Sequence, residues 1–229
     1  MSKPSERQPK RRTRVRRLPK RALYERVAIE SILDEGFLCH LGFVDDGYPV
    51  VIPTLYARIG AHVYLHGSAA SRALRRSLDE SAVCLTVTLV DGLVLARAAF
   101  HHSMNYRSVV LFGRAEPVDG DDERLLALEK FVDKLIPGRW DEVRPPSRQE
   151  LNATSILRIP IDEASAKVRE GPPADDADDY ALEVWAGVIP LELRRLAPRP
   201  DPKLGPEVEP PSYLAGALPG RKDGKGESL

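Results

Sequence analysis

Disulfides, cysteine metal sites and membrane spans are all missing from this 229-residue chain. Its two cysteines, Cys39 and Cys84, lie in separate apolar runs without CxxC spacing, which excludes a disulfide scaffold and a cysteine zinc site and suits a reducing compartment. No apolar run reaches the roughly 18 residues a span requires, and the arginine-rich N-terminus lacks the apolar stretch of a signal peptide, so the chain reads as cytoplasmic. A serine–histidine–acid triad, a Walker loop and GxGxxG are also absent, which argues against common hydrolases, nucleotide triphosphatases and dinucleotide folds.

What is present is ordinary globular composition, 42% hydrophobic and 30% charged, with 34 basic and 34 acidic residues. The zero balance hides a gradient. Residues 1–21 hold ten Lys/Arg against Glu6 alone, a net of +9, and read as a disordered basic arm. Residues 196–229 carry seven prolines and five glycines and read as a disordered tail. Between them, 22–195 is net −9 and of single-domain length. The arm has no aromatic residue to stack on bases, so nucleic acid is not the expected partner.

Apolar Leu23, Val27, Ile29, Ile32 and Leu33 predict a helix over 21–35, stopped by Gly36. Two β-prone runs, 37–44 and 48–58, flank Asp45-Asp46-Gly47 and predict a hairpin. A third strand at 63–66 ends at Gly67-Ser68, and a helix follows over 70–78 with Ser68 or Ser71 as its cap. Alternation over 81–95, broken at Asp91-Gly92, predicts strand and turn. A strand over 108–117, a helix over 121–135 and a β-prone stretch over 153–168 complete the domain. Strands joined mostly by tight turns favour an α+β fold, an antiparallel barrel with appended helices.

Three segments can carry chemistry. In His66-Gly67-Ser68-Ala69-Ala70-Ser71-Arg72 a glycine, two hydroxyls and an arginine meet at a helix start, which suits a phosphate and equally a plain helix cap. In His101-His102-Ser103-Met104-Asn105-Tyr106-Arg107-Ser108, Arg107 and Ser108 offer a second anion fork or a surface salt bridge. The adjacent histidines point to opposite faces of a strand, with no partner at ligand spacing, so no metal site is expected. Trp185, like Trp140, either plugs the core or covers a planar ligand.

Taken in order, Tyr48-Pro49-Val50-Val51-Ile52-Pro53-Thr54, Tyr64-Leu65-His66-Gly67-Ser68 through Arg72, and Tyr106-Arg107-Ser108-Val109-Val110-Leu111-Phe112-Gly113 resemble the pyridoxamine 5′-phosphate oxidase-like, FMN-binding split-barrel proteins. The likeness spans roughly 22–193 and is strongest to the branch with the nitroimidazole-resistance proteins. Pro137-Gly138-Arg139-Trp140, Ser165 through Pro173 and Trp185 through Pro190 are similar to a flavin-nucleotide-binding subgroup.

The resemblance implies a homodimer of six-stranded split barrels with FMN at the subunit interface. It implies that Ser68, Ser71, Arg72, Arg107 and Ser108 hold the FMN phosphate. Val51, Ile52, Pro53 and Thr54, with Leu65, His66 and Gly67, would lie along the isoalloxazine ring, Tyr106 and Trp185 would border the cofactor, and His66 would face a substrate as proton donor. The basic residues with which pyridoxamine phosphate oxidases grip their substrate are not found. The reading is therefore an FMN-dependent oxidoreductase passing electrons from NAD(P)H to a nitroaromatic or quinone. Alternatives are a flavin-binding redox partner without turnover, or a split barrel holding deazaflavin or haem, the latter ligated by His62, His66, His101 or His102.

Overall fold

The computed structural model describes residues 10–78 and 82–215. Strand β1 is Ala22–Leu23, and helix α1, Arg26–Glu35, follows. The hairpin is β2, Leu38–Asp45, and β3, Tyr48–Ile59, joined by Asp46 and Gly47 at φ 50° and 81°, the mirror-image turn that matches strand twist. Then come β4 (His62–Ser68), α2 (Arg72–Leu78), β5 (Val83–Leu95), β6 (Ser103–Gly113) and β7 (Glu116–Pro117). The rest is α3 (Asp121–Leu135), α4 (Arg148–Ala153), β8 (Thr154–Pro160), β9 (Glu163–Arg169) and β10 (Gly187–Pro190).

All strand pairs are antiparallel, in the order β1-β9-β6-β5-β2-β3-β4-β8-β7, with β10 added to β5. The sheet curls so that inward residues of distant strands share one core, including Leu41, Tyr56, Leu65, Leu85, Leu111 and Ile159. Helix α1 closes one end through Ile29, Ile32 and Leu33, and the Tyr56 hydroxyl donates to the Leu33 carbonyl at 2.7 Å. Helix α3 packs outside the barrel, where Ala127 and Phe131 meet Ala57, Tyr64 and Ile156.

The antiparallel α+β barrel therefore stands, with ten strands among the described residues rather than six. The added strands β1, β7 and β10 are two to four residues long, too short to carry a periodic signal. The stretch 153–168 is two strands folded back at Ile161-Asp162. No helix among the described residues is long and apolar enough to cross a membrane. Of the C-terminal tail, 196–215 is described; a short 3-10 helix, Ser212–Ala215, brings the Tyr213 hydroxyl to Glu142.

Candidate functional site

Strand β3 changes partner halfway along its length. Tyr48 to Leu55 pair with β2, whereas Tyr56 to Ile59 pair with β4, and the β3–β4 ladder ends at Tyr56 opposite Leu65. Beyond that point β4 continues through His66, Gly67 and Ser68 bonded only to β8. The barrel is split here, leaving two facing strand edges without ladder partners on that side among the described residues. Val51 is 63% exposed and Pro53 is exposed, while Ile52 and Thr54 are half-buried. An apolar strand with an open edge is a surface that proteins normally cover.

At the mouth of the split, the Ser68 hydroxyl accepts from the Ala70 N–H (3.2 Å), and the Ser68 carbonyl accepts from the Ser71 N–H (2.8 Å). A Cβ on Gly67 would lie 3.0 Å from Leu74 Cδ1, so the glycine lets α2 approach β4. The packing reading of this segment is thus realised, while the Ser68 hydroxyl bonds ahead of the helix, at Ala70, rather than to an N–H of α2. Arg72 remains 71% exposed, with one carboxylate, Asp45, at 3.3 Å.

Arg107 is placed differently. Its guanidinium binds both Glu35 oxygens and both Asp91 oxygens, including Nη2 to Asp91 Oδ1 at 2.7 Å, and these two carboxylates hold its pKa well above the ordinary value. Ser108 donates to the Lys167 carbonyl (3.3 Å), and Tyr106 faces Arg169 across the β6–β9 ladder. Arg72 contacts the end of β2, whereas Arg107 contacts Glu35, just before its start. Eight strand residues separate those ends, roughly 25 Å at the usual rise. Within one chain the two arginines are not brought together.

His66 points to the outer face of β4, toward α3. Its ring centroid is 4.2 Å from that of Phe131, and its buried Nδ1 has no hydrogen-bond partner. Burial lowers its pKa, so the imidazole is neutral at pH 7. It lines a groove of about 500 Å³ with Leu55, Leu128, Phe131, Val132, Leu135 and Trp140. At one side Arg144 grips Glu150 (2.6 and 2.7 Å), which with the Ser147 cap holds that carboxyl down at about 2. The sequence reading missed the α3 wall, although the Leu128, Phe131, Val132, Leu135 spacing marks one helical face.

Trp185 does not plug the core: it is 68% exposed. Its indole lies over Gly187, where a Cβ would sit 2.9 Å from the ring. His101 acquires a partner that spacing does not reveal, with Nε2 3.4 Å from Asp176 and Asp179 nearby. That turn is fastened by Asp175, whose carboxylate accepts from the Arg97 and Ala98 backbone N–H groups and the Arg97 guanidinium.

The pyridoxamine 5′-phosphate oxidase family profile matches residues 25–168. The flavocytochrome Anf3 from Azotobacter vinelandii is 44% identical, with 90% of this chain and 96% of that chain covered at a TM-score of 0.85. The FAD and haem binding protein from Mycobacterium smegmatis is 35% identical, with coverages of 86% and 98% and a TM-score of 0.82. A candidate 5-nitroimidazole antibiotic resistance protein from Bacteroides thetaiotaomicron, 21% identical over 64% of this chain and 86% of its own, shares the fold at a TM-score of 0.53. No curated protein matches. The split sheet, the matched profile and the two near-full-length relatives lead to one conclusion: the chain belongs to the pyridoxamine 5′-phosphate oxidase-like split-barrel family.

Proposed function

We propose that the protein is a flavin-dependent oxidoreductase that works as a homodimer, and the observation that carries this reading is the split between β3 and β4. The edge Val51 to Thr54, exposed at Val51 and Pro53, faces the edge His66 to Ser68, which continues from the buried Leu65, and the slot between them is bordered by backbone donors and acceptors, which is what an isoalloxazine ring requires. Ser68, Ser71 and the exposed Arg72 at its mouth supply hydroxyls and an uncommitted guanidinium edge for the phosphate. Arg107, saturated by Glu35 and Asp91, holds the scaffold. A bound flavin supplies hydride and single-electron transfer; the protein positions the ring, excludes water and presents a neutral His66 beside it.

FMN is the smallest flavin these contacts satisfy, and FAD is the alternative that the description of the Mycobacterium smegmatis relative raises. Electrons come from NAD(P)H and go to a small acceptor of nitroaromatic or quinone type. The second subunit covers apolar side chains left exposed on the surface, among them Val51 on the split edge, Leu93 on β5 and Trp185. Free Cys39 and Cys84 suit a reducing cytoplasm.

A second reading rests on His66. A neutral imidazole with an uncommitted buried nitrogen in a groove lined by Phe131 and Trp140 suits an axial ligand of haem, the group for which the same relative is named. Two assays test these readings. Flavin released from the purified protein by acid is identified by mass, and the loaded protein is mixed anaerobically with NADH or NADPH. Reduction followed by reoxidation with a quinone supports the enzyme; a retained flavin that no donor reduces leaves a redox partner. Haem taken up by the wild type and not by His66→Ala supports the second reading.

A further inference from the structure

The described part of the basic arm, residues 10–21, is used by neither the split nor the His66 groove. It lies folded beside β9. Lys10 Nζ and Arg12 Nε both reach Glu163, at 2.9 and 3.3 Å. Thr13 is only 4% exposed, its hydroxyl donating to the Lys10 carbonyl at 3.2 Å, and the Val15 N–H donates to the Tyr24 hydroxyl at 3.0 Å. Leu18, at φ 54°, is in the left-handed region that branched side chains seldom adopt, and it turns the chain through Pro19 into β1.

The bend forms a half-open hollow of about 570 Å³ lined by Arg11, Arg14, Val15, Arg16 and Pro19. The arm's cations are thereby divided. Lys10 and Arg12 are spent on anchoring to Glu163, whereas Arg11, Arg14 and Arg16 line the hollow and none of them has a carboxylate partner among the described residues. Three exposed arginines around one space repel one another, and a multivalent anion placed between them reverses the sign of that interaction.

We propose that this hollow binds a compact polyphosphate, either free or as the phosphate chain of a small nucleotide. The guanidinium fork takes phosphate oxygens in pairs, and three forks match a group of two or three linked phosphates. The volume is that of a small-molecule site. Nucleic acid is disfavoured because the arm has no aromatic side chain to stack on a base and residues 22–195 carry a net −9, which repels a long polyanion.

The test is calorimetric titration of inorganic tripolyphosphate into the full-length protein as purified. Wild type is expected to bind, and Arg11→Gln/Arg14→Gln/Arg16→Gln to bind roughly tenfold more weakly or worse, with its melting temperature unchanged. A charge-matched control, Arg17→Gln/Lys20→Gln/Lys203→Gln, removes three cations from outside the hollow and is expected to keep wild-type affinity. Absence of binding by wild type, or an equal loss in the control, overturns the proposal. Affinity for single-stranded DNA that exceeds that for tripolyphosphate and grows with strand length overturns it in favour of nucleic acid.

Discussion

The cluster around Arg107 and the groove around His66 treat polar atoms in opposite ways. Arg107 is a quarter exposed, and its fork is met by two carboxylates, Glu35 from the end of α1 and Asp91 from β5. His66 sits against Phe131 with a buried nitrogen that nothing answers. Folding rewards the first arrangement and penalises the second, since a buried polar atom without a partner costs about 1–3 kcal/mol. A conspicuous arginine is therefore fully answered by the scaffold here, and an inconspicuous histidine carries the unanswered nitrogen.

The largest effect is expected from Phe131→Ala, which removes the wall of the groove and the anchor of α3; its burial at 3% exposure implies a loss of about 3–4 kcal/mol in a urea melt. Arg107→Ala leaves Glu35 and Asp91 facing each other. Because all three side chains are 21–28% exposed, the cost is placed below that of a fully buried pair, at about 2 kcal/mol, with flavin content per chain unchanged in the same preparation. Arg72→Ala reverses the pattern. Stability stays within about 0.5 kcal/mol, as for other exposed positions, while FMN affinity measured by fluorescence quenching falls about tenfold.

The smallest effect is the pH dependence contributed by His66. Burial depresses its pKa below the ordinary 6.5, so in acid the unfolded chain binds a proton that the folded chain refuses. Stability from this residue is complete above about 6.5 and declines as pH falls toward the folded value. The difference in melting temperature between wild type and His66→Gln should therefore change between pH 7 and pH 5; parallel curves would mean that His66 is solvated.

Much of the fold was readable from pattern alone. Helix α3 fills the expected 121–135, and the β2–β3 hairpin turns where Asp45-Asp46-Gly47 places it. Other features depend on contacts that one-dimensional spacing does not hold. Asp91-Gly92 reads as a turn, yet β5 runs through it with a bulge. The Asp91 carboxylate is taken by Arg107, its carbonyl accepts from the Leu191 N–H, and β10 pairs with Gly92 to Leu95. Strand β6 begins at Ser103 rather than 108, because Ser103 and Met104 pair with Val94 and Leu93 despite their polar neighbours. In the site, the strand end with Gly67 drew attention to His66, but the convergence of Glu35 and Asp91 on Arg107 and the exposure of Trp185 are tertiary facts.

The most direct test of the central claim, that the split between β3 and β4 holds a flavin, is the visible absorption spectrum of the full-length protein after incubation with FMN and removal of the excess. The expected result is a flavin spectrum that travels with the wild-type protein and is lost in Val51→Asp, which places a charge on the split edge while thermal melting remains cooperative. A colourless wild type, or a flavin retained equally by Val51→Asp, would contradict it.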